Sequence, residues 1–301
     1  MKSEIIYQTT LKNDFKYKGI ALHSGKNISM RCIGADSGTG IVFVRTDLKG
    51  RTELKASAIN AAYTSRSTGI GENGSIFVNA IEHLMAAFCI MEVDNAIVEL
   101  DSGEVPAGDG SAALFAGLME EAGVIRLDEA AEIISIKGPV LVEKGDAYIK
   151  ALPYDGLRIS YTLCYDCAGI GTQTGDYQFN KQLFFRDIAP ARTFALAEEV
   201  EALHKAGLAL GGSLDNAVLF DTKGPVNSLR FIDEPLRHKM LDMLGDLYLN
   251  GRIRGHFTGV KSGHCLNCCL SGQIAEINKN RMSLASAGES RKNECISIIR
   301  R

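Results

Sequence analysis

The sequence predicts an α+β protein of two domains, and three features of the chain support this prediction. Its 301 residues exceed the size of one average domain. Hydrophobic residues make up 46% and charged residues 23%, as in ordinary folded proteins rather than disordered ones. Each half of the chain passes from strand-type alternation to helical spacing. We therefore expect one domain over residues 1–128 and a second over residues 129–301.

The first half is predicted to contain strands and two helices. β-Branched residues alternate in the strand segments, and the apolar residues after Asn79 recur every three or four positions, as on one face of a helix. That helix contains Glu82 and His83. The predicted elements are strands over 27–33, 41–45 and 95–100, a helix from Asn79, and a helix from Gly110 to Gly123.

The second half repeats this order of strands and helices. The charged stretch 126–131 lacks periodicity and marks the boundary between the halves. In the long helix, Asp233 is placed to cap the N-terminus and Pro235 fits the first turn. The predicted elements are strands over 133–136, 140–143, 148–152 and 157–165, a helix over 198–206, and a long helix over 233–250.

Composition and charge exclude several classes of protein. The formal net charge is −3 and the basic residues are scattered, so the chain lacks the positive patch of a nucleic-acid-binding protein. No apolar run reaches the roughly 18 residues that a membrane span requires, and no apolar signal segment is present at the N-terminus. We expect a cytoplasmic protein whose cysteines are reduced thiols.

The long helix carries a candidate metal-binding face. His238, Asp242 and Asp246 are spaced by four residues, so their side chains stack along one side of the helix. An imidazole and a carboxylate one turn apart suit a divalent ion such as zinc. The alternative interpretation is an ordinary solvated helix face, which the same spacing also produces.

The Glu82-His83 pair supplies groups that the long helix lacks. Its neighbours in the segment 79–87 are mostly apolar, and polar residues in such surroundings cost free energy unless they have partners. The alternative is a helix edge at the surface. Together with His238 and Asp242, His83 would complete a set of two imidazoles and one carboxylate. The fourth tetrahedral position would remain for water, as in catalytic zinc sites.

Two groups of cysteines leave other functions open. Cys164-x-x-Cys167 and Cys265-x-x-Cys268-Cys269 together could form a four-cysteine structural zinc site in a binding module. Their separation exceeds that of a zinc ribbon, and the second group lies in a helical segment. The Cys164-x-x-Cys167 pair also raises the alternative of a thiol oxidoreductase. It follows a strand, however, and does not open a helix, where the helix dipole would lower a thiol pKa.

Eight segments of the chain match one known family in the family's own order. They are GIALHSGK (19–26), IEHL (81–84), EVP (104–106), DGSAA (109–113), ARTF (191–194), LGGS (210–213), RHKMLDMLGD (237–246) and KSGH (261–264). On these segments, which run through almost the whole chain, the sequence resembles the UDP-3-O-acyl-N-acetylglucosamine deacetylases. Those enzymes catalyse the committed step of lipid A synthesis.

The resemblance implies a metal-dependent hydrolase that cleaves an amide bond. It assigns a zinc ion (Zn2+), with Fe2+ as the alternative in the cell, to His83, His238 and Asp242. It assigns Glu82 as the general base that activates the attacking water. The implied reaction removes acetate from the N-acetyl group of UDP-3-O-((R)-3-hydroxyacyl)-N-acetylglucosamine.

The resemblance also gives roles to four other polar residues. Thr193 matches a donor to the oxyanion, and His264 matches the general acid that protonates the leaving amine. Asp246 matches the carboxylate that orients His264, and Lys239 matches a residue that supports the substrate and its charge. Without the resemblance, Thr193, His264 and Lys239 would be interpreted as a turn hydroxyl, a helix N-terminal histidine and a solvated lysine.

Substrate contacts follow from the resemblance as well. An insert over about 194–218 is expected to bind the acyl chain in an apolar passage, with Phe194 as lining and with Gly211 and Gly212 permitting close backbone approach. Tyr165 takes the position of the aromatic that stacks on uracil, although the His and Pro beside it in the family are absent here. Lys261 is the candidate for the diphosphate.

The resemblance further implies how the two domains pack. Each domain is expected to pair a sheet with two helices, and the helices of both domains are expected to pack together between the two sheets, around the active site. The expected protein is a cytoplasmic monomer. Its expected partner is a small UDP-sugar lipid, with no nucleic acid and no integral membrane segment.

Overall fold

The computed structural model describes residues 5–63, 66–72 and 75–299. Over these residues the protein is a mixed α+β structure with several sheets and six α-helices. None of the helices in this part of the chain has both the length and the apolarity that a bilayer crossing requires. The α+β class predicted from the sequence is confirmed, and the two-domain division stays a prediction.

The first half of the chain is built mainly from antiparallel strands. They are β1 (Tyr7–Leu11), β2 (Phe15–Ile20), β3 (Asn27–Gly34), β4 (Ile41–Arg45), β5 (Thr52–Lys55), β6 (Ala61–Tyr63), β7 (Thr68–Glu72), β8 (Ser75–Val78), β9 (Ala96–Leu100) and β10 (Val124–Ala130). One sheet has the order β2-β3-β9-β4-β5, a second has the order β6-β7-β8, and β1 pairs with β10. Apolar and polar residues alternate along the strands of the larger sheet, so that one face is buried. In β3, Ile28, Met30 and Cys32 are buried, whereas Asn27 and Ser29 are exposed.

The second half contains a six-stranded sheet and a small three-stranded sheet. Its strands are β11 (Ile133–Ser135), β12 (Val140–Lys144), β13 (Ala147–Leu152), β14 (Leu157–Cys164), β15 (Thr172–Gln178), β16 (Phe194–Leu196), β17 (Val218–Asp221), β18 (Gly224–Pro225) and β19 (Arg252–Val260). The large sheet has the order β12-β13-β19-β14-β15, with β11 also paired to β19, and the small sheet is β16-β17-β18. The four strands predicted between 133 and 165 are confirmed to within one residue at each end.

Six α-helices and a short π-helical segment (Phe184–Ile188) complete the described fold. The α-helices are α1 (Glu82–Ile90), α2 (Ala113–Ala122), α3 (Lys181–Leu183), α4 (Ala197–Lys205), α5 (Glu234–Leu247) and α6 (His264–Ile299). The predicted long helix is confirmed as α5, which continues as one 3-10 turn to Asn250. Pro235 lies in its first turn as predicted, whereas the carboxylate of Asp233, at the N-cap, accepts a hydrogen bond from Arg237 instead of capping the backbone.

Helix α5 packs on the large sheet at positions where the strands carry no side chain. A Cβ added at Gly259 of β19 would lie 2.5 Å from the Cε of Met243, and one at Gly175 of β15 would lie 3.0 Å from the Cδ2 of Leu236. Glycine at these two positions therefore lets the helix lie close to the strands. The result is a buried α5 whose opposite face meets α1.

Two expected boundaries can be placed on these elements. The division expected at residue 128 falls inside β10, which pairs with β1 near the start of the chain. The insert expected at about 194–218 coincides with β16, α4 and the beginning of β17, in which β16 and β17 pair in parallel. The helix predicted over 198–206 is confirmed as α4, with both ends shifted by one residue.

Candidate active site

Helices α1 and α5 lie in close contact at Gly245. A Cβ on Gly245 would lie 2.0 Å from the carbonyl oxygen of Glu82, so only glycine permits this approach. Gly245 lies between Asp242 and Asp246 on α5, while Glu82 and His83 begin α1. The close approach therefore brings His83 beside Asp242.

Three side chains form the one group in the described residues that could hold a metal ion: His83, His238 and Asp242. Their ligand atoms all lie within 4.8 Å of one another. The Nε2 atoms of His83 and His238 lie 3.5 and 3.3 Å from Oδ1 of Asp242. The two imidazole rings meet edge to face, with centroids 4.9 Å apart. Two nitrogens and one oxygen thus converge, from the two helices that the sequence had indicated.

The donor atoms of this group fit a bound metal. Oδ1 of Asp242 is buried and accepts no hydrogen bond from the described residues. Burial lowers the pKa of His238 to about 3, so the ring is neutral. Its Nδ1 then donates to the carbonyl oxygen of Ala191 at 3.1 Å, which leaves the lone pair of Nε2 for a ligand. Imidazole nitrogens and carboxylate oxygens are among the donors that bind zinc in proteins.

Lys239 neutralises the other oxygen of Asp242. Its Nζ lies 2.8 Å from Oδ2, and the Lys239 side chain is mostly buried. Burial alone would raise the pKa of Asp242, but His238 and Lys239 outweigh burial and hold that pKa well below its usual range. Asp242 is therefore ionised, with one oxygen bound to an ammonium group and the other turned to the two imidazoles.

Glu82 precedes His83 in the chain, and its carboxyl group is buried and bound to a backbone N–H. Its side chain is buried, and its Oε2 accepts a hydrogen bond of 3.0 Å from the backbone N–H of Thr68. Burial raises the pKa of this carboxyl group above its usual value. A carboxyl group of raised pKa is suited to take a proton from water.

His264, the first residue of α6, contacts carboxylates on α5. Its Nδ1 lies 3.2 Å from Oδ2 of Asp246, and its Nε2 lies 3.8 Å from Oδ2 of Asp242. Burial disfavours the imidazolium, but Asp246, Asp242 and Glu82 outweigh burial and raise the pKa of His264 to about 9. The ring is a cation at neutral pH and can donate a proton. Asp246 is itself fully buried and accepts a second hydrogen bond from Asn267 at 2.9 Å.

A cleft of about 100 Å³ is lined by five of the groups described above: Glu82, His83, His238, Asp242 and His264. Four more of the residues singled out in the sequence line it: Tyr165, Thr193, Phe194 and Lys239. The rings of Tyr165 and Phe194 meet edge to face with centroids 5.5 Å apart, and Nζ of Lys239 lies 5.8 Å from the centre of the Phe194 ring. The cleft thus combines charged groups with an aromatic wall.

A second cavity, of about 300 Å³, shares the walls formed by Thr193 and Phe194. Its lining is mostly apolar and includes Val200 and Leu203 of α4 together with Gly212. Gly211 makes the close approach here, since a Cβ on it would lie 2.1 Å from the carbonyl oxygen of Ala21, whereas the nearest atom to a Cβ on Gly212 is 3.1 Å away. An apolar space therefore opens directly beside the charged cleft.

Two predicted site residues line neither cavity within the described part of the chain. Asp246 is fully buried and contacts His264 in the wall of the cleft. The other is Lys261. Its Nζ forms an ion pair with Asp146 at the surface. In the cleft, the cation that sequence reasoning missed is Arg66, which pairs with Glu199 of α4 at 2.9 Å. Neither Arg66 nor Glu199 lies in a recognisable motif, so no sequence signal marked them.

The cysteines do not assemble a metal site in the described residues. Cys32, Cys89, Cys164, Cys167, Cys265, Cys268 and Cys269 are all free thiols. Cys164 ends β14 and is exposed, whereas Cys268 is buried within α6. Burial raises the pKa of Cys167, which is opposite to the change that activates a redox thiol. Both cysteine-based alternatives therefore lack structural support in this part of the chain.

Comparison with known proteins identifies the family. A family model described as LpxC, UDP-3-O-acyl N-acetylglycosamine deacetylase, matches residues 8–276. Proteins named UDP-3-O-acyl-N-acetylglucosamine deacetylase are 41% identical in Oleidesulfovibrio alaskensis, over 95% of this chain and 95% of that protein, and 42% identical in Acidithiobacillus ferrooxidans, over 88% and 89%. The protein of that name in Chlamydia abortus is 41% identical over 90% of this chain and 97% of its own length. The chain belongs to the UDP-3-O-acyl-N-acetylglucosamine deacetylase family.

Proposed function

We propose that this protein is a zinc-dependent deacetylase acting on UDP-3-O-((R)-3-hydroxyacyl)-N-acetylglucosamine, in the committed step of lipid A biosynthesis. The products are the free amine, UDP-3-O-acyl-glucosamine, and acetate. One observation carries the proposal: a largely buried set of two imidazoles and one carboxylate shares a cleft with a carboxyl group of raised pKa and an imidazolium. Amide hydrolysis needs these three elements: an electrophile polarises the carbonyl group, a base takes a proton from the attacking water, and an acid protonates the leaving amine.

The metal is proposed to be held by His83, His238 and Asp242. A bound zinc ion supplies Lewis acidity, which lowers the pKa of a water ligand toward about 7 and polarises a carbonyl oxygen. Fe2+ is the alternative ion. The hydrogen bond from His238 to Ala191 and the ion pair between Asp242 and Lys239 fix these ligands in place.

Glu82 is proposed to accept the proton of the attacking water. Its carboxyl group adjoins the ligand His83 in sequence, its Oε2 accepts a hydrogen bond from the N–H of Thr68, and it is not part of the group of three ligand side chains, so we assign it as a base rather than a fourth ligand. The hydroxyl of Thr193, which lines the same cleft, donates a hydrogen bond to the oxyanion that develops on the carbonyl oxygen. Lys239 adds positive charge beside this position.

His264 is proposed to protonate the leaving amine. An amine leaves poorly unless it is protonated, and the imidazolium of His264 is the cation in the cleft that can release its proton readily. Asp246 holds Nδ1, which leaves Nε2 to face the cleft. Proton uptake by Glu82 and proton delivery by His264 are thereby divided between two residues.

The two cavities are proposed to bind different parts of the substrate. The apolar cavity beside Phe194, with Val200, Leu203 and Gly212 in its walls, suits the acyl chain. Tyr165, in the wall of the charged cleft, is the proposed stacking partner of uracil. Lys261 would have to exchange Asp146 for the diphosphate. The cytoplasmic location and the monomeric state stay predictions.

Acetate release from the UDP-sugar tests the proposal directly. The zinc-loaded protein is compared with Glu82→Ala and with Glu143→Ala, which removes an exposed carboxylate from β12. We expect Glu82→Ala to retain its metal and to lose turnover on the order of 10² to 10⁴-fold, since general-base assistance contributes that much. Glu143→Ala should match the wild type. A wild-type protein that releases no acetate, or a fully active Glu82→Ala, would refute the proposal.

A further inference from the structure

Thr68 is a buried residue that contacts both of the groups proposed to transfer protons. Its side chain is 0% exposed. Its backbone N–H donates to Oε2 of Glu82 at 3.0 Å, and its hydroxyl oxygen lies 3.0 Å from Nδ1 of His264. Strand β7, which begins at Thr68, therefore links the start of α1 to the start of α6.

The backbone of Thr68 fixes the position of Glu82. Its carbonyl oxygen accepts a hydrogen bond of 3.0 Å from the N–H of Ile81, and its own N–H holds the Glu82 carboxylate. Ala80, just before, has a φ of 55°, a backbone region that residues with side chains rarely adopt. The sharp turn into α1 is thus held by both backbone groups of Thr68, its N–H and its carbonyl oxygen. These contacts need only the backbone, so they survive a change of the side chain.

The hydroxyl of Thr68 acts on His264. Oδ2 of Asp246 lies 3.2 Å from the same Nδ1, so this nitrogen has two oxygen partners. Sγ of Cys268, one turn along α6, lies 3.6 Å from the hydroxyl oxygen. A hydroxyl can accept from the ring N–H while it donates to the sulfur. Two partners on Nδ1 restrict rotation of the ring and keep Nε2 turned toward Asp242, 3.8 Å away.

We propose that Thr68 is a positioning residue for proton transfer: its backbone sets Glu82, and its hydroxyl sets the orientation of His264. The inference rests on the proposed deacetylase function. Without the hydroxyl, Asp246 alone holds the ring, and Nε2 can turn away from the leaving amine. A misplacement of about 1 Å at a reacting group costs on the order of 100-fold in rate. The loss should appear in kcat, because His264 acts on the amine in the transition state.

The variant Thr68→Val tests this inference, because valine has the shape of threonine and lacks the hydroxyl. We expect its kcat for acetate release to fall on the order of 10-fold to 100-fold, with KM within about 2-fold of the wild type and full zinc content. Thr68→Ser, which restores the hydroxyl, should recover most of kcat. If Thr68→Val does not fold, Thr68→Ala takes its place under the same criteria.

Thr10→Val is the matched control. Thr10 is also buried, and its hydroxyl donates to the carbonyl oxygen of Asn95 and accepts from the N–H of Ala35, both at 2.8 Å, without lining the cleft. Its loss should lower the melting temperature and leave kcat unchanged.

Several results would overturn the positioning role. They are a wild-type kcat in Thr68→Val, an equal loss in Thr68→Ser, a loss that follows zinc content, or failure of both the valine and alanine variants to fold. A wild-type protein without deacetylase activity would instead refute the proposed function, so the two failures are distinguishable.

Discussion

Replacing Gly245 with alanine should separate the helices that carry the metal ligands. The added Cβ would lie 2.0 Å from the carbonyl oxygen of Glu82 and 2.8 Å from its carbonyl carbon. Ordinary contact begins at 3.4 Å, so α1 and α5 must part by about 1.4 Å to relieve the clash. His83 would move with α1, whereas His238 and Asp242 would stay on α5. Since metal sites tolerate ligand distances that differ by only about 0.2 Å, the three donors could no longer bind one ion together.

We expect Gly245→Ala to weaken zinc binding on the order of 100-fold or more and to reduce deacetylation in parallel. Overpacking should also destabilise the fold by about 1 to 3 kcal/mol, partly offset by the better helix propensity of alanine. The assay is a competition titration with a chromogenic chelator, combined with thermal unfolding. Gly117→Ala on α2 is the control, because a Cβ there meets nothing within 4 Å. Wild-type zinc affinity in Gly245→Ala would refute this reasoning.

Two further predictions concern stability and the acyl chain. Burial raises the pKa of Glu234, but hydrogen bonds from Arg192 and Arg230 outweigh burial and lower it. Glu234→Gln should therefore cost roughly 3 kcal/mol at pH 7 in urea unfolding, and the difference should shrink as the pH falls below the unfolded-state value of about 4.3. A cost independent of pH would contradict this. Val200→Trp, in the apolar cavity, should raise KM for long-chain substrates more than for short-chain ones, and equal changes would argue against that cavity as the acyl site.

The helices of the site were predictable because their apolar residues recur at helical spacing along the whole segment. Leu236, Met240, Leu244 and Leu247 form a regular apolar stripe, and Pro235 marks the beginning of α5. Once two helices were recognised, the spacing of His238 and Asp242 indicated which face carries the ligands. What the sequence could not indicate is the distance between the helices, because that depends on Gly245 meeting a carbonyl group of another segment.

Strand β19, at the centre of the large sheet, was missed for an identifiable reason. Every second residue of β19 is buried, as is typical of a strand. Two of these four buried residues, Gly255 and Gly259, carry no side chain and therefore give no apolar signal in the sequence. The strand is set by its neighbours β13, β14 and β11, which are distant in sequence. Burial of Phe257 and the approach of Met243 to Gly259 supply the packing instead.

The residues of the site also fall into two groups: those that the sequence could indicate and those that it could not. His83, His238, Asp242 and Glu82 stand in helical patterns or in segments shared with the family, so the sequence could indicate them. Thr68 stands in a short strand without a motif, and its contacts arise only when β7 lies beside α1 and α6. Side chains that act through tertiary contacts alone leave no local pattern in the sequence.

The most direct test is to locate the metal by anomalous X-ray scattering from zinc-loaded crystals. We predict a single strong peak about 2.0 to 2.2 Å from Nε2 of His83, Nε2 of His238 and a carboxylate oxygen of Asp242. Glu82 should lie outside the coordination sphere. A peak between Cys164 and Cys167, or none beside His238, would contradict the account.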